Sequence, residues 1–164
     1  APRLVDMDQD GAPELIAIES HERQGARLAI WAVRDGGLMR IANTDHIGTR
    51  FRWLAPVGVA DFDGDGALDV AFVDRPHLAK TLRVFRFADD TLTEWAALRG
   101  VTNHRIGWDY IVGGVRDCGN GPEMILADAN WQTNLALVWR DGSFSARQLS
   151  SFKDRESTDM LLNC

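Results

Sequence analysis

The sequence predicts an all-β chain made of β-propeller blades: about three four-stranded antiparallel repeats of roughly 55 residues, belonging to a larger ring. Three observations predict it. Asp6-Met-Asp-Gln-Asp-Gly-Ala-Pro-Glu14 and Asp61-Phe-Asp-Gly-Asp-Gly-Ala-Leu-Asp69 nearly repeat each other 55 residues apart, and a shortened remnant begins at Asp117. Matched series of short apolar runs follow each of the three. No segment sustains the 3.6-residue apolar period of a helix.

The elements follow in order. The first run after each acidic loop is Leu15–Ile18, Leu68–Val73 and Met124–Ala127. The second is Leu28–Val33, Leu82–Phe87 and Leu135–Trp139. Both series are rich in β-branched and aromatic residues, and the second ends in turn residues: Asp35-Gly-Gly37, Asp89-Asp90 and Asp141-Gly142. A weaker outer strand comes next, at Leu38–Asn43, Leu92–Leu98 and Phe144–Leu149. Trp53–Ala60 and Tyr110–Arg116 lead into the following loop. Their glycines suit innermost strands, which crowd near a propeller axis. The repeats are therefore placed at about 1–53, 54–109 and 110–164. Met160–Cys164 reads as one more short apolar strand. Trp31, Phe85 and Trp139 occupy similar places in successive repeats and are expected to pack between sheets.

The acidic loops carry the chemistry. Three to four carboxylates within nine residues repel one another, and a hard cation relieves that repulsion. Oxygen-only donors suit calcium over zinc or copper. In the second loop Asp61, Asp63, Asp65 and Asp69 offer side-chain oxygens and Ala67 a backbone carbonyl. In the first the equivalents are Asp6, Asp8, Asp10, Glu14 and Ala12. The second loop has Asp at every side-chain position and both turn glycines, so it is expected to be the stronger site. Gln9 and Glu14 weaken the first. An EF-hand is excluded because position 12 is Ala17 or Phe72, each inside strand-like sequence. The remnant Asp117-Cys-Gly-Asn-Gly-Pro-Glu123 loses the middle carboxylates, and no metal is expected there.

Composition bounds the rest. The chain has 164 residues, 45% apolar and 26% charged, enough for one compact domain with a core. Net charge is −6, with no basic nucleic-acid footprint and no apolar run of membrane-spanning length. The chain starts at Ala, so either processing removed its start or it is a cut piece of a longer chain, and the repeat, which puts the start in the middle of a strand, argues for the cut. Three blades fall short of a ring, so missing repeats or partner chains would complete it.

Cys118 stands where Met7 and Phe62 stand, so it is either a packed apolar residue or half of a disulfide with Cys164 that staples the ion-free third loop. The segments around Arg75, His77 and Lys80 and around His104, Arg105 and Trp108 are richer in functional groups than a connection needs. They either cap blade ends or converge as a cationic, aromatic-edged pocket for an anionic or sugar ligand. The four histidines lack the tight spacing of a zinc site. No catalytic motif stands out, and the acids are absorbed by the loops.

The pattern Asp-Phe-Asp-Gly-Asp-Gly-x-x-Asp followed by an apolar strand resembles the FG-GAP repeat of integrin α-subunit propellers and the VCBS-type repeats of bacteria. Ile47-Gly48 and Ile106-Gly107 are weak counterparts of the "FG" element, and Asp74-Arg-Pro76 of the "GAP". The resemblance implies calcium-stabilised blades, outside the cell or in the periplasm. The expected function is non-enzymatic: a secreted or cell-envelope binding module with a protein or carbohydrate ligand. The alternative is the scaffold of a polysaccharide-active lyase or hydrolase, and a purely architectural repeat is a third possibility.

Overall fold

A computed structural model describes residues 2–164. The first blade is Arg3–Val5 (β1), Glu14–His21 (β2), Gly25–Arg34 (β3) and Gly37–Asn43 (β4). The second is Leu54–Ala60 (β5), Asp69–Asp74 (β6), Thr81–Ala88 (β7) and Thr91–Arg99 (β8). The third is Val101–Thr102 (β9), Gly114–Asp117 (β10), Pro122–Asp128 (β11), Thr133–Arg140 (β12) and Ser143–Ser151 (β13). In each sheet the strands pair antiparallel in chain order, and β9 adds to β11 beside β10. These are propeller-type blades in series.

The hairpins obey local backbone chemistry. The β3–β4, β7–β8 and β12–β13 turns place Asp35-Gly36, Asp89-Asp90 and Asp141-Gly142 at positive φ. Two-residue turns of that hand match the twist of the strands they join. Antiparallel order also fixes the ends. The acidic β1–β2 and β5–β6 loops share one end with these hairpins. The β2–β3 and β6–β7 connections and the blade-to-blade links lie at the other.

Packing follows the period of two along each strand. Val70 and Phe72 of β6 face a cluster with Met7, Ile16, Leu28 and Ile30 of the first blade. Ala71 and Val73 face a cluster with Met124, Leu126 and Leu137 of the third. That explains the unbroken apolar run of β6: this strand is covered on both faces and buried throughout. Phe72 stacks on Phe85 at 5.4 Å between ring centroids, and Trp139 meets Trp95 of the second blade edge-on at 4.9 Å. Trp31 is half-buried, with the Arg40 guanidinium 5.7 Å from its ring. The inner strands approach so closely that a Cβ on Gly58 would overlap the Val115 side chain.

Two expectations are corrected. The inner strand expected at Tyr110–Arg116 covers only Gly114–Asp117, and its first part has moved upstream. Val101–Thr102 pairs with Asp128 and Ala127, and Gly114 resumes opposite Ile125. Residues 103–113 are thus a loop opened inside the strand. Val112 N–H donates to the Asn103 carbonyl at 2.9 Å and closes its base. A side chain at Gly113, with φ of 74°, would strike the Ile125 carbonyl.

The segment expected as a strand at Met160–Cys164 is instead helical. Arg155–Asp159 is a single α-turn (α1) and Met160–Leu162 a 3-10 turn. Asp154 caps α1 by accepting from Ser157 N–H, and Ser157 returns the bond, a capping box. The tail then runs beside β10, where Arg116 donates to the Leu161 carbonyl at 2.6 Å.

It ends in a disulfide between Cys164 and Cys118, with Cα atoms 5.6 Å apart and a sequence separation of 46. The bridge constrains the unfolded chain, and loop-closure entropy assigns about 2–4 kcal/mol to such a loop. Replacing both cysteines by serine is expected to lower unfolding free energy by about that amount in a urea titration. An unchanged midpoint would show that the tail is held by its hydrogen bonds alone.

Candidate metal loops and cleft

Each loop is built by its own carboxylates. In the second loop Asp61 Oδ1 accepts from Gly64 N–H at 2.7 Å, and Oδ2 from Gly66 N–H at 2.9 Å. Asp65 Oδ1 accepts from Ala67 N–H at 2.9 Å. Asp69 is fully buried. It accepts from Phe62 N–H at 3.1 Å and from the Trp95 indole at 2.8 Å. Burial pushes its carboxyl up to about 6, against the pull of those two donors.

The first loop repeats this scheme. Asp6 Oδ2 accepts from Gly11 N–H at 3.0 Å, Asp10 Oδ1 from Ala12 N–H at 2.7 Å, and Glu14 Oε2 from Met7 N–H at 2.7 Å. Gln9 takes the left-handed conformation of Gly64, with φ of 61° against 79°. Its side-chain amide donates to the Gly66 carbonyl at 3.1 Å, so the two loops touch.

The loops differ in what remains free. Asp6, Asp8 and Glu14 each bring a carboxylate oxygen within 4.8 Å of the others. Asp6 Oδ1 is buried and has no hydrogen-bond partner among the described residues. Burial, then Asp8 and Asp10, raises the Glu14 carboxyl above its usual value. Arg34 is tied instead to Asp90, through Nη2 to Oδ1 at 2.8 Å. This donor set fits a hard cation: all oxygen, crowded, and carrying one orphaned lone-pair site.

In the second loop Asp61, Asp63 and Asp65 also gather within 4.8 Å. There the Arg86 guanidinium fills the role of cation. It hydrogen-bonds Asp63, meets Asp65 through Nη1 at 2.8 Å, and lies 3.8 Å from Asp69 through Nε. The fit to a metal is correspondingly poor.

The third loop keeps Asp117, which accepts from Gly119 N–H at 2.8 Å. Its last acid, Glu123, is clamped by Arg116 at 2.6 Å and Arg147 at 2.8 Å. Sequence reading missed Arg86, Arg116 and Arg147. The signal was cross-strand register: Arg86 lies opposite Asp69, and Arg116 opposite Glu123.

The residues proposed as a pocket divide. Arg75 is bound by Asp74 through two hydrogen bonds, and Lys80 donates to the Ala129 carbonyl at 2.7 Å. These two cap blade ends. His77 and His104 share a hydrogen bond of 2.9 Å, and burial, then His104, holds His77 below the usual imidazole value. His104 Nε2 engages the Trp108 carbonyl at 2.9 Å, so both its ring nitrogens are occupied.

His104 and Trp108 do line a cleft of about 570 Å³, together with Arg3, Trp53, Tyr110 and Arg155. One wall is the loop 103–113 that interrupts the third inner strand. Trp108 and Tyr110 stack at 4.6 Å. Arg105 covers Trp108 at 5.4 Å and Trp131 at 4.6 Å, while Arg155 covers Tyr110 at 4.8 Å. The stacked rings are already occupied by each other and by guanidinium groups, so the cleft offers charge rather than an open aromatic face.

Residues 6–72 match the family model of the FG-GAP-like repeat. Over that stretch, less than half of the chain, the sequence is similar to an FG-GAP-like repeat. The match begins at the first acid of loop one and runs through the second loop into β6. No curated protein matches the chain. In this repeat the acidic loops are the β1–β2 and β5–β6 turns, so the motif read in sequence and the structural turn coincide. No helix among the described residues is long and apolar enough to cross a membrane.

The Glu123 clamp yields a pH-dependent expectation. Burial works to raise this carboxyl, but Arg116 and Arg147 overcome it and hold it below 4.5. A depressed carboxylate contributes stability above its unfolded value and loses it as pH falls through the folded value. Glu123→Gln is expected to cost about 1–3 kcal/mol at neutral pH. The cost should shrink as pH drops below 4.5. Urea titrations of both proteins across that range check it, and a pH-independent difference would assign the loss to packing.

Proposed function

We propose that this chain is a non-enzymatic, secreted or cell-envelope binding module whose blades are stabilised by calcium. The observation that carries the metal reading is the partnerless buried Asp6 Oδ1 among three gathered carboxylates. Asp6, Asp8 and Glu14 would hold the ion. Calcium would supply positive charge directly to these oxygens, which no guanidinium hydrogen-bonds, since Arg34 nearby is held by Asp90, and would tie β1 to β2. The Cys118–Cys164 disulfide supports an oxidising compartment, outside the cell or in the periplasm.

The cleft beside loop 103–113 is the proposed ligand site, and an anionic carbohydrate is its best chemical match. Arg3 and Arg155 line it beside Asp109; Arg3 Nη1 donates to the Val57 carbonyl at 3.2 Å and Arg155 Nε to Asp159 at 3.1 Å, and the other N–H groups of each planar fork would meet a sugar carboxylate. Neutral sugars need a free aromatic face, which the covered Trp108 and Tyr110 rings do not give. The same geometry weighs against a polysaccharide-cleaving scaffold, because His104 has no nitrogen left to act as a base.

Two measurements test the reading. Melting curves in calcium should lie above those in chelator, since calcium at about 100 times its dissociation constant adds about 2.7 kcal/mol to a protein that binds it only when folded. Coincident curves would overturn the metal role. Titration with an oligouronate should quench tryptophan fluorescence through Trp53 and Trp108. Arg155→Ala should weaken that binding about tenfold, the loss of roughly one charge-assisted hydrogen bond. An unchanged affinity, or equal binding of a neutral oligosaccharide, would remove the cleft from consideration.

A further inference from the structure

We infer that Arg86 is the resident cation of the second acidic loop, standing in place of a metal ion, so that calcium dependence falls on the first loop alone. The inference reverses the ranking that the sequence suggests, in which the second loop is the better site. It extends the calcium reading above and can fail separately from it.

Asp69 on β6 pairs with Arg86 on β7. That pairing aims the guanidinium along the sheet edge and into the loop that Asp69 closes. There it reaches Asp63 and Asp65 together and approaches Asp69. The Trp95 ring, whose indole N–H is bound to Asp69, lies 5.7 Å from the guanidinium carbon. The head group is therefore held by carboxylates on one side and an aromatic ring on the other.

The remaining oxygens of the loop are also engaged. Both Asp61 oxygens accept backbone N–H groups, and both Asp69 oxygens accept donors from Phe62 and Trp95. A calcium ion here would have to displace a guanidinium already bound by two carboxylates and strip hydrogen bonds from two more. Arg86 already offsets one of the loop's carboxylate charges, so an ion would gain only the charge it carries beyond the guanidinium it displaces.

The other blades make the contrast informative. In the first blade the register puts Ala32 opposite Glu14, one step beyond the Leu15–Trp31 pair. Alanine delivers no charge, and Asp6 keeps an orphaned oxygen. In the third blade the closing acid again has arginine partners, Arg116 across the inner strand pair and Arg147 from β13. Two of the three loops carry their own guanidinium cation, and the one that lacks it is the one with an unsatisfied carboxylate.

Equilibrium dialysis of the full chain against calcium, with bound ion counted by elemental analysis, tests the inference. Wild type should hold one ion per chain and Asp6→Asn none. Asp63→Asn should keep one ion at unchanged affinity. Arg86→Met should gain a second ion, and near-ultraviolet circular dichroism would confirm that it is folded. A wild type with two ions, an Asp63→Asn variant that loses its ion, or a folded Arg86→Met variant with no gain would each overturn the inference. If Arg86→Met does not fold, the Asp63→Asn count decides. Zero ions on wild type with one on Arg86→Met would support the Arg86 assignment while removing calcium from the first loop, so the two readings separate.

Discussion

The structure depends on how the second residue of each loop between an inner strand and its neighbour is anchored. In the first two blades Met7 and Phe62 hold that place, and both are almost fully buried in the inter-blade clusters. Their backbone N–H groups cannot reach water, so each is satisfied by the acid that closes its loop, Glu14 or Asp69. One interaction therefore joins three things: the turn geometry, the packing of adjacent blades and the burial of a carboxylate. Because an unpaired buried donor costs about 1–3 kcal/mol, the closing acid is structural before it is anything else. In the third blade Cys118 takes this position, and a covalent bond to Cys164 does the anchoring.

Burying an acid at the loop's last position creates the charge problem that the rest of the loop must solve. The three blades solve it in different ways with similar backbone. The second uses a guanidinium from the neighbouring strand, and the third clamps its acid between two arginines. In the first, Arg34 lies near enough for Asp8 and Glu14 to act on its charge but is held by Asp90, and Asp6 keeps an oxygen without a hydrogen-bond partner beside a touching neighbour loop that adds more negative charge. Sequence divergence among the repeats thus reads as substitution among equivalent sources of positive charge. A buried carboxylate is tolerated when it is paired and hydrogen-bonded, or when burial raises its pKa toward the neutral form, as at Asp69 and Glu14.

Much of the fold was legible. The period and the acidic turns located most strands near their true positions, because alternation and turn residues act locally. What escaped was non-local. The inner strand of the third blade breaks into Val101–Thr102 and Gly114–Asp117, while the spacing between acidic loops barely changes. In the second blade the long connection, residues 44–53, precedes the inner strand. In the third the chain enters the strand at once and spends those residues inside it. A repeat count cannot distinguish these placements. The Met160–Leu162 segment was misread because a run of apolar residues that short fits either period, and the Asp154–Ser157 capping box decided for helix. The arginines of the loops were invisible for a related reason: Arg86 is 17 positions beyond Asp69, and only strand pairing brings them together.

The displaced loop 103–113 links scaffold to site. Its first residue, Asn103, is fully buried and donates to the Ala55 and Pro56 carbonyls, where β5 has its own irregularity at Pro56–Gly58. The loop therefore occupies hydrogen-bonding groups that the bulged second blade leaves exposed. That ties its base to the middle blade, while His104 is fixed by Trp53 at 4.4 Å and by His77. The loop's outer part, with Ile106 81% exposed and Arg105 spread over three aromatic rings, is held much less tightly by the core. A rigid base with a chemically rich, exposed crest is the arrangement by which a repetitive scaffold acquires recognition without altering its blades. The acidic loops at the opposite end can then be specialised for stability, since the residues that would meet a ligand make no demand on them.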